Sequence, residues 1–184
     1  MGKIRVYIAG DWLSDFYTSE YVAIVTDYGH FDFFNRNKDG DILKSQENDK
    51  NINPQDENKL PYSIRILHKA VKGQTYNRAK LLGLIDTLNY LNTSKRTIIY
   101  TNSTYLTDPF NKDWITKWKI RGWSKQDGTP LMNKDLWEKL YKMNLTRHLE
   151  FQYINKEECE ELVKAEKLLA IYAKNDVKHN ESID

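Results

Sequence analysis

The chain opens on two short stretches in which β-branched and aromatic residues are interrupted by single polar ones, Lys3 to Ile8 and Tyr21 to Thr26, the pattern of half-buried strands. His30 to Phe34 or Ser63 to Leu67 supplies a third strand. Between these, residues 35–60 carry few apolar side chains and many Asn, Asp, Lys and Gln, which predicts a polar inserted loop. At Thr75 the period changes. Leu81, Leu84, Ile85, Leu88 and Leu91 recur at three- and four-residue intervals behind a threonine suited to an N-cap, which predicts a helix to Leu91. Arg96 to Thr101 (RTIIYT) is short, apolar and β-branched, a buried strand, and a helix follows from Ser103. Two further helices, Asp113 to Arg121 and Lys134 to Met143, precede a strand at His148 to Tyr153 and a last helix over 156–174. The order β-β-β-α-β-α-α-α-β-α predicts an α/β fold with a five-stranded mixed sheet flanked by helices.

Length and composition narrow the setting. With 184 residues, 40% of them hydrophobic, the chain suits one compact core, which we place over residues 1–175 with a flexible tail at 176–184. No apolar run approaches the roughly 20 residues that span a bilayer, and Met1 to Val6 leads into a strand, not a signal peptide. The expectation is an intracellular, cytoplasmic protein with no membrane partner. Cys159 is the single cysteine, which excludes an intramolecular disulfide and a cysteine zinc cluster and leaves an ordinary thiol. His30, His68, His148 and His179 form no cluster in the sequence. A net charge of +2 is too small to imply nucleic-acid binding, but the charge is segregated: Lys112 to Lys125 holds five basic residues against one acid. Lys38 to Lys59, by contrast, is acidic and asparagine-rich.

The chemistry concentrates from Thr101 onward. There a strand ending in Thr101-Asn102-Ser103 leads into a helix, then Trp114 and Trp118, a Gly122-Trp123 turn, and Asn133 followed by Leu136-Trp137. In this register the chain resembles the type 1 ribonuclease H family, whose strand ends in Thr-Asp-Ser before a tryptophan ladder, a Gly-Trp turn and Asn-x-x-Leu-Trp. Thr75-Tyr76-Asn77-Arg78-Ala79-Lys80-Leu81 is similar to the family's Thr-Asn-Asn-Arg-x-Glu-Leu, Cys159-Glu160-Glu161-Leu162 to its Cys-Asp-Glu-Leu, and Lys3 to Gly10 to its first strand. The resemblance implies a ribonuclease H-like fold and a family activity of cutting the RNA strand of an RNA·DNA hybrid with two magnesium ions held by four carboxylates.

Matched residue by residue, those carboxylates fall on Ala9, Lys80, Asn102 and Glu160, so three of four are replaced and no catalytic set is intact. Two-metal chemistry needs several negatively charged oxygens, because Mg²⁺ gives up its water reluctantly. An ammonium about 4 Å away repels a dication by roughly 2 kcal/mol even in water-like screening. The connection before the last helix is also shortened to Ile154-Asn155-Lys156 and lacks the family's histidine. The resemblance therefore implies a catalytically degenerate member, a pseudoenzyme with no metal or other cofactor. Lys80 is expected to neutralise Glu160, and Lys80→Glu then to raise Mg²⁺ affinity.

The same resemblance assigns a binding surface. Tyr105, Trp114 and Trp118 match the ladder along which the DNA strand lies, and Thr75 and Asn133 match a phosphate pocket whose arginine falls on Gly73, beside Lys72. Lys117, Lys119, Arg121 and Lys125 interleave with the aromatics, a combination that stacks on sugars or bases and neutralises phosphates. Tryptophans at helical spacing are also the mark of packing, the role expected of Trp123 and Trp137. Three functional readings stay open. The first is a nuclease-dead protein binding an RNA·DNA hybrid or structured RNA. The second is an assembly module docking on a ribonucleoprotein or polymerase. The third is an active ribonuclease H rearranged around Asp11 and Glu160 with Mg²⁺, Asp15 and Asp86 being further spare acids. The Asn- and Lys-rich composition is compatible with a virus or phage, hence an infected host cell, or with an AT-rich parasite.

Overall fold

The structure, a computed structural model, describes residues 3–13, 18–27, 63–93 and 95–181, with 11–13 and 174–181 described by backbone alone. The segment 28–62 lies outside the described residues, and with it the alternative strand at His30 to Phe34 and the polar insertion at 35–60.

The opening meander is β1 (Ile4–Leu13), β2 (Thr18–Asp27) and β3 (Ser63–Lys72), each strand antiparallel to the next. The third strand is thus the later of the two alternatives, and it runs longer than its apolar core because Lys69 and Lys72 sit on a pleat that β2 continues to pair. After helix α1 (Tyr76–Leu91), β4 (Thr97–Thr101) crosses to lie parallel to β1, and β5 (Leu149–Tyr153) lies parallel to β4. The result is the expected five-stranded mixed sheet, in the order β3-β2-β1-β4-β5. Helices α2 (Thr104–Asn111), α3 (Trp114–Ile120) and α4 (Lys134–Thr146) connect β4 to β5, and a 3-10 turn at Lys156–Glu158 leads into α5 (Glu160–Glu181). That helix continues past residue 176, where a tail was expected to begin.

Strand alternation divides the apolar residues between two faces. Ile4, Val6 and Ile8 of β1 join Ala23, Val25, Ile99 and Phe151 under Leu81, Leu84 and Leu88 of α1, with Leu106, Ile115, Leu136, Trp137 and Leu140 completing the larger core. Each of these fully buried aliphatic side chains contributes about 1.5–3 kcal/mol by leaving water. Tyr7 and Ala9, the intervening positions of β1, face the other way with Val22 and Ile24 and are covered by Cys159, Leu162, Ala165 and Leu169 at the start of α5. Thr75 caps α1 as expected, its Oγ1 accepting from the Arg78 N–H. Among the described residues no helix is long and apolar enough to cross a membrane.

Candidate nucleic-acid interface

The strand order brings the C-terminal ends of β1 and β4 together beneath α1 and α5, the place where the resemblance implies a metal centre. Ala9 is buried there among the apolar side chains of α5. Lys80, on the first turns of α1, is 2% exposed. Its ammonium donates to the Tyr76 hydroxyl and lies 3.8 Å from the Tyr76 ring centroid. Gly10 accommodates this side chain: a Cβ built on Gly10 would stand 2.8 Å from Lys80 Cγ and 3.1 Å from the Glu20 carbonyl oxygen. Asn102 follows β4 and donates through Nδ2 to Glu166 Oε1 at 3.2 Å, while Glu166 also pairs with Lys156 at 3.2 Å.

Two expectations are corrected here. Glu160 does not meet Lys80. Its side chain is 87% exposed and pairs with Lys164 one turn on, at 3.5 Å. The carboxylate that reaches the end of β4 is Glu166. The cause is the short connection: Ile154 N–H still bonds the Thr101 carbonyl, and α5 begins at Glu160, so its first residues lie beside Arg5, Tyr7 and Tyr100. Only further along does the helix pass Asn102. The expected gain of Mg²⁺ affinity in Lys80→Glu falls with the pair it assumed.

Of the four matched positions Glu160 is the one carboxylate, and its side chain is exposed and pairs with Lys164. Among the described residues no three His, Cys, Asp or Glu side chains converge closely enough to hold a metal ion. Of the spare acids, Asp11 stands opposite Glu20 in the β1–β2 register, Asp15 lies outside the described residues, and Asp86 accepts from Tyr21 and Lys69. Glu20 is buried against His68, whose ring stacks on Tyr172 of α5 at 4.0 Å, so one of the four scattered histidines does pack at a charged site. Cys159 is buried and free, and burial pushes its thiol up, as expected of an unreactive one.

The residues expected to bind nucleic acid divide between packing and surface. Thr75 and Asn133 stand at the N-termini of α1 and α4 and are linked through Arg78, which sequence reasoning missed. Its Nη1 donates to Asn133 Oδ1 at 3.2 Å, and its two terminal nitrogens bridge Asp135 at 2.8 and 2.6 Å. The signals were present: Arg78 lies three residues past Thr75, and Asp135 two past Asn133. Asn133 adopts φ 58°, a left-handed conformation that asparagine tolerates. The oxygen of Tyr105 accepts from Asn133 Nδ2 at 2.9 Å and from Trp137 Nε1 at 3.2 Å. Tyr105 is therefore anchored to the core, on Trp137, which is fully buried as its packing role predicts.

Trp118 is half-buried, its ring 5.5 Å from Trp137, while Trp114 is 39% exposed and carries Lys112 over its face at 5.3 Å. Trp123 packs edge-on to Tyr141. Lys119 turns back to donate to the Tyr141 hydroxyl at 3.1 Å. Lys117, Arg121 and Lys125 are exposed. The turn that presents Lys125 is closed by the Lys125 N–H on the Thr129 carbonyl and the Gly128 N–H on the Lys125 carbonyl. The protrusion thus presents the Trp114 ring beside exposed Lys117, Arg121 and Lys125.

The arrangement of a mixed 3-2-1-4-5 sheet, four helices on one face and one long helix on the other is that of ribonuclease H domains. A family profile described as RNase H matches residues 37–159, and the chain belongs to that family. It is 32% identical over 88 residues to the ribonuclease HI of Synechocystis sp., a match covering 48% of this chain and 55% of that one. It is 30% identical over 106 residues to the ribonuclease H of Desulforamulus reducens, covering 54% of this chain and 67% of the relative. The chain thus spans about half to two thirds of the length of these relatives. In structure it is similar to LC9-RNase H1, described as a type 1 RNase H with the type 2 active-site motif, with TM-score 0.63 and 18% identity over 90% of this chain and 69% of that one. It is also similar to the foamy viral protease-reverse transcriptase solved with an RNA/DNA hybrid, with TM-score 0.56 and 10% identity over 89% of this chain and 19% of that one. These likenesses establish the fold.

Proposed function

We propose that this chain is a nuclease-dead ribonuclease H-like protein that binds an RNA·DNA hybrid or structured RNA without metal ions. The observation that carries the reading is the buried Lys80, packed over Gly10 where the family's α1 glutamate would stand. A cation fixed at that position repels Mg²⁺, and Ala9 itself is packed in the apolar cluster that α5 covers. The surface assigned to binding supports the reading: Asn133 and Tyr105 are hydrogen-bonded, Arg78 links Asn133 to Thr75, and Trp114, Lys117, Arg121 and Lys125 are exposed. Phosphates meet the cations and a sugar or base meets the exposed ring. That a fold neighbour was solved with an RNA/DNA hybrid supports the choice of ligand.

The test is a titration of labelled hybrid in the presence of a chelator at several salt concentrations. Affinity should fall with salt at a slope of about 0.9 per phosphate contacted, giving a total of several contacts. Absence of binding at low salt removes the reading. In that event the second reading, docking on a protein or ribonucleoprotein, gains ground. It draws on the apolar side chains the α3-to-α4 stretch leaves open, Ile120 at 80% and Met132 at 66% exposure.

A further inference from the structure

We propose that the outer edge of β3 is a docking surface for an extended, acidic strand of a partner protein, which joins the sheet there as a sixth strand. This edge lies outside the nucleic-acid surface described above.

A strand at the end of a sheet keeps a row of backbone N–H and C=O groups that its neighbour does not pair. The sheet ends on β3 and on β5. At β5, five residues long, α2 packs alongside, and its Asn111 Nδ2 donates to the Phe151 carbonyl at 3.2 Å. β3 is ten residues long and pairs with β2 along its whole length, and among the described residues no strand lies beyond it. An edge of this kind holds an extended chain by backbone hydrogen bonds and selects it by alternate side chains.

The side chains of β3 define what that chain carries. Register with β2 sets Arg65, Leu67 and Lys69 on the face under α1, opposite Val25, Ala23 and Tyr21. Ile64 and Ile66 lie on the other face, where Ile66 packs against the cluster that α5 covers and Ile64 is exposed. Opposed side chains of paired antiparallel strands lie about 4.5–5.5 Å apart, so a sixth strand meets each of these in turn. Carboxylates complement Arg65 and Lys69, and apolar side chains complement Leu67, Ile66 and Ile64. Lys69 is exposed while it holds Asp86 at 3.3 Å, and an ammonium has three donors, so it can serve a second carboxylate as well. The partner strand therefore has two acids four positions apart and apolar residues opposite Leu67, Ile66 and Ile64. A second copy of β3 does not meet that pattern. Ser63–Lys72 contains no acid, and two such strands would set like charges against each other.

The probe is a fluorescein-labelled hexapeptide, Glu-Thr-Val-Val-Glu-Val, whose residues stand opposite Lys69 back to Ile64 in antiparallel register. It is titrated with the full chain and followed by anisotropy. Two further forms carry N-methyl groups on one or the other alternating set of amides. The form whose methyl groups face β3 should bind about tenfold or more weakly, and the other should bind as the parent does. Equal behaviour of the two forms overturns the proposal. Arg65→Gln combined with Lys69→Gln, its fold checked by urea unfolding, should weaken binding of the parent peptide about fivefold. Replacing both peptide glutamates by glutamine should do the same to the wild type. Unchanged binding in either case overturns the acidic assignment, and a wild type that does not bind the parent peptide overturns the docking surface itself. The chain alone should sediment as a monomer; a dimer that the peptide dissociates gives the edge to a second copy and overturns the proposal.

Discussion

Lys80 and Gly10 are coupled by contact, and the coupling is measurable. A methyl group on Gly10 has only 2.8 Å to Lys80 Cγ and 3.1 Å to the Glu20 carbonyl. Gly10→Ala should therefore lower unfolding stability by about 1–3 kcal/mol, the cost of overpacking. In a Lys80→Ala background the nearer obstacle is gone, and the same change should cost about 1 kcal/mol less. Equal costs in both backgrounds, read from urea unfolding, would mean that Lys80 does not occupy the space over Gly10. At this scale the sequence puts Ala9, Lys80 and Asn102 opposite family carboxylates only through the resemblance, by the run of matching neighbours around each. It did not show where Glu160 points. That position was aligned through Cys159 and Leu162, whose burial depends on α5 packing on the sheet, and the short link from β5 changes which turn of the helix passes β4. Arg78 was missed because its role depends on Asp135 and Asn133, more than fifty residues away in sequence.

Among the elements, α1 sets the geometry of the candidate interface, since it is capped by Thr75, carries Arg78 and Lys80, and packs across β1 and β2. Its close approach is made at Gly83, where an added Cβ would lie 2.4 Å from Tyr21 Cγ and 2.9 Å from Tyr21 Cβ. The Tyr21 ring has little room to retreat, because its hydroxyl donates to Asp86 on the same helix at 3.0 Å. Gly83→Ala should cost about 3 kcal/mol, at the upper end for overpacking, and weaken hybrid binding by moving α1. A variant with wild-type stability in urea would contradict this packing. The helix itself was legible from its leucine period, and so was the strand β4. The third strand was not fixed by pattern alone, because two short apolar stretches satisfied it equally and only pairing with β2 distinguishes Ser63–Lys72. The tryptophans of α3 were legible as a helical pair but not in their packing. Periodicity places Trp114 and Trp118 near one another, yet it does not say that Trp118 leans on Trp137 while Trp114 stays open.

For the whole molecule, two ion pairs couple stability to acid. Hydrogen bonds from Arg78 hold the Asp135 carboxyl below the usual carboxylate range, and those from Arg96 do the same for Glu150. A carboxyl whose folded pKa is depressed stabilises the fold above its unfolded pKa, and that contribution is lost as pH falls through the folded value. Urea-unfolding stability should thus decline below about pH 4, near the ordinary carboxylate range. The double variant Asp135→Asn, Glu150→Gln should be less stable at pH 7 and decline less between pH 5 and 3. An unchanged acid limb would show that these pairs are too exposed to matter. The central proposal concerns the molecule as a whole, that it binds an RNA·DNA hybrid and does not cut it. The measurement that tests it most directly is incubation of the wild-type chain with a hybrid labelled on its RNA strand, with Mg²⁺ or Mn²⁺ and with chelator alone. The account predicts the same bound fraction in all three and an intact RNA strand; metal-dependent cleavage that disappears in Asp11→Asn would contradict it.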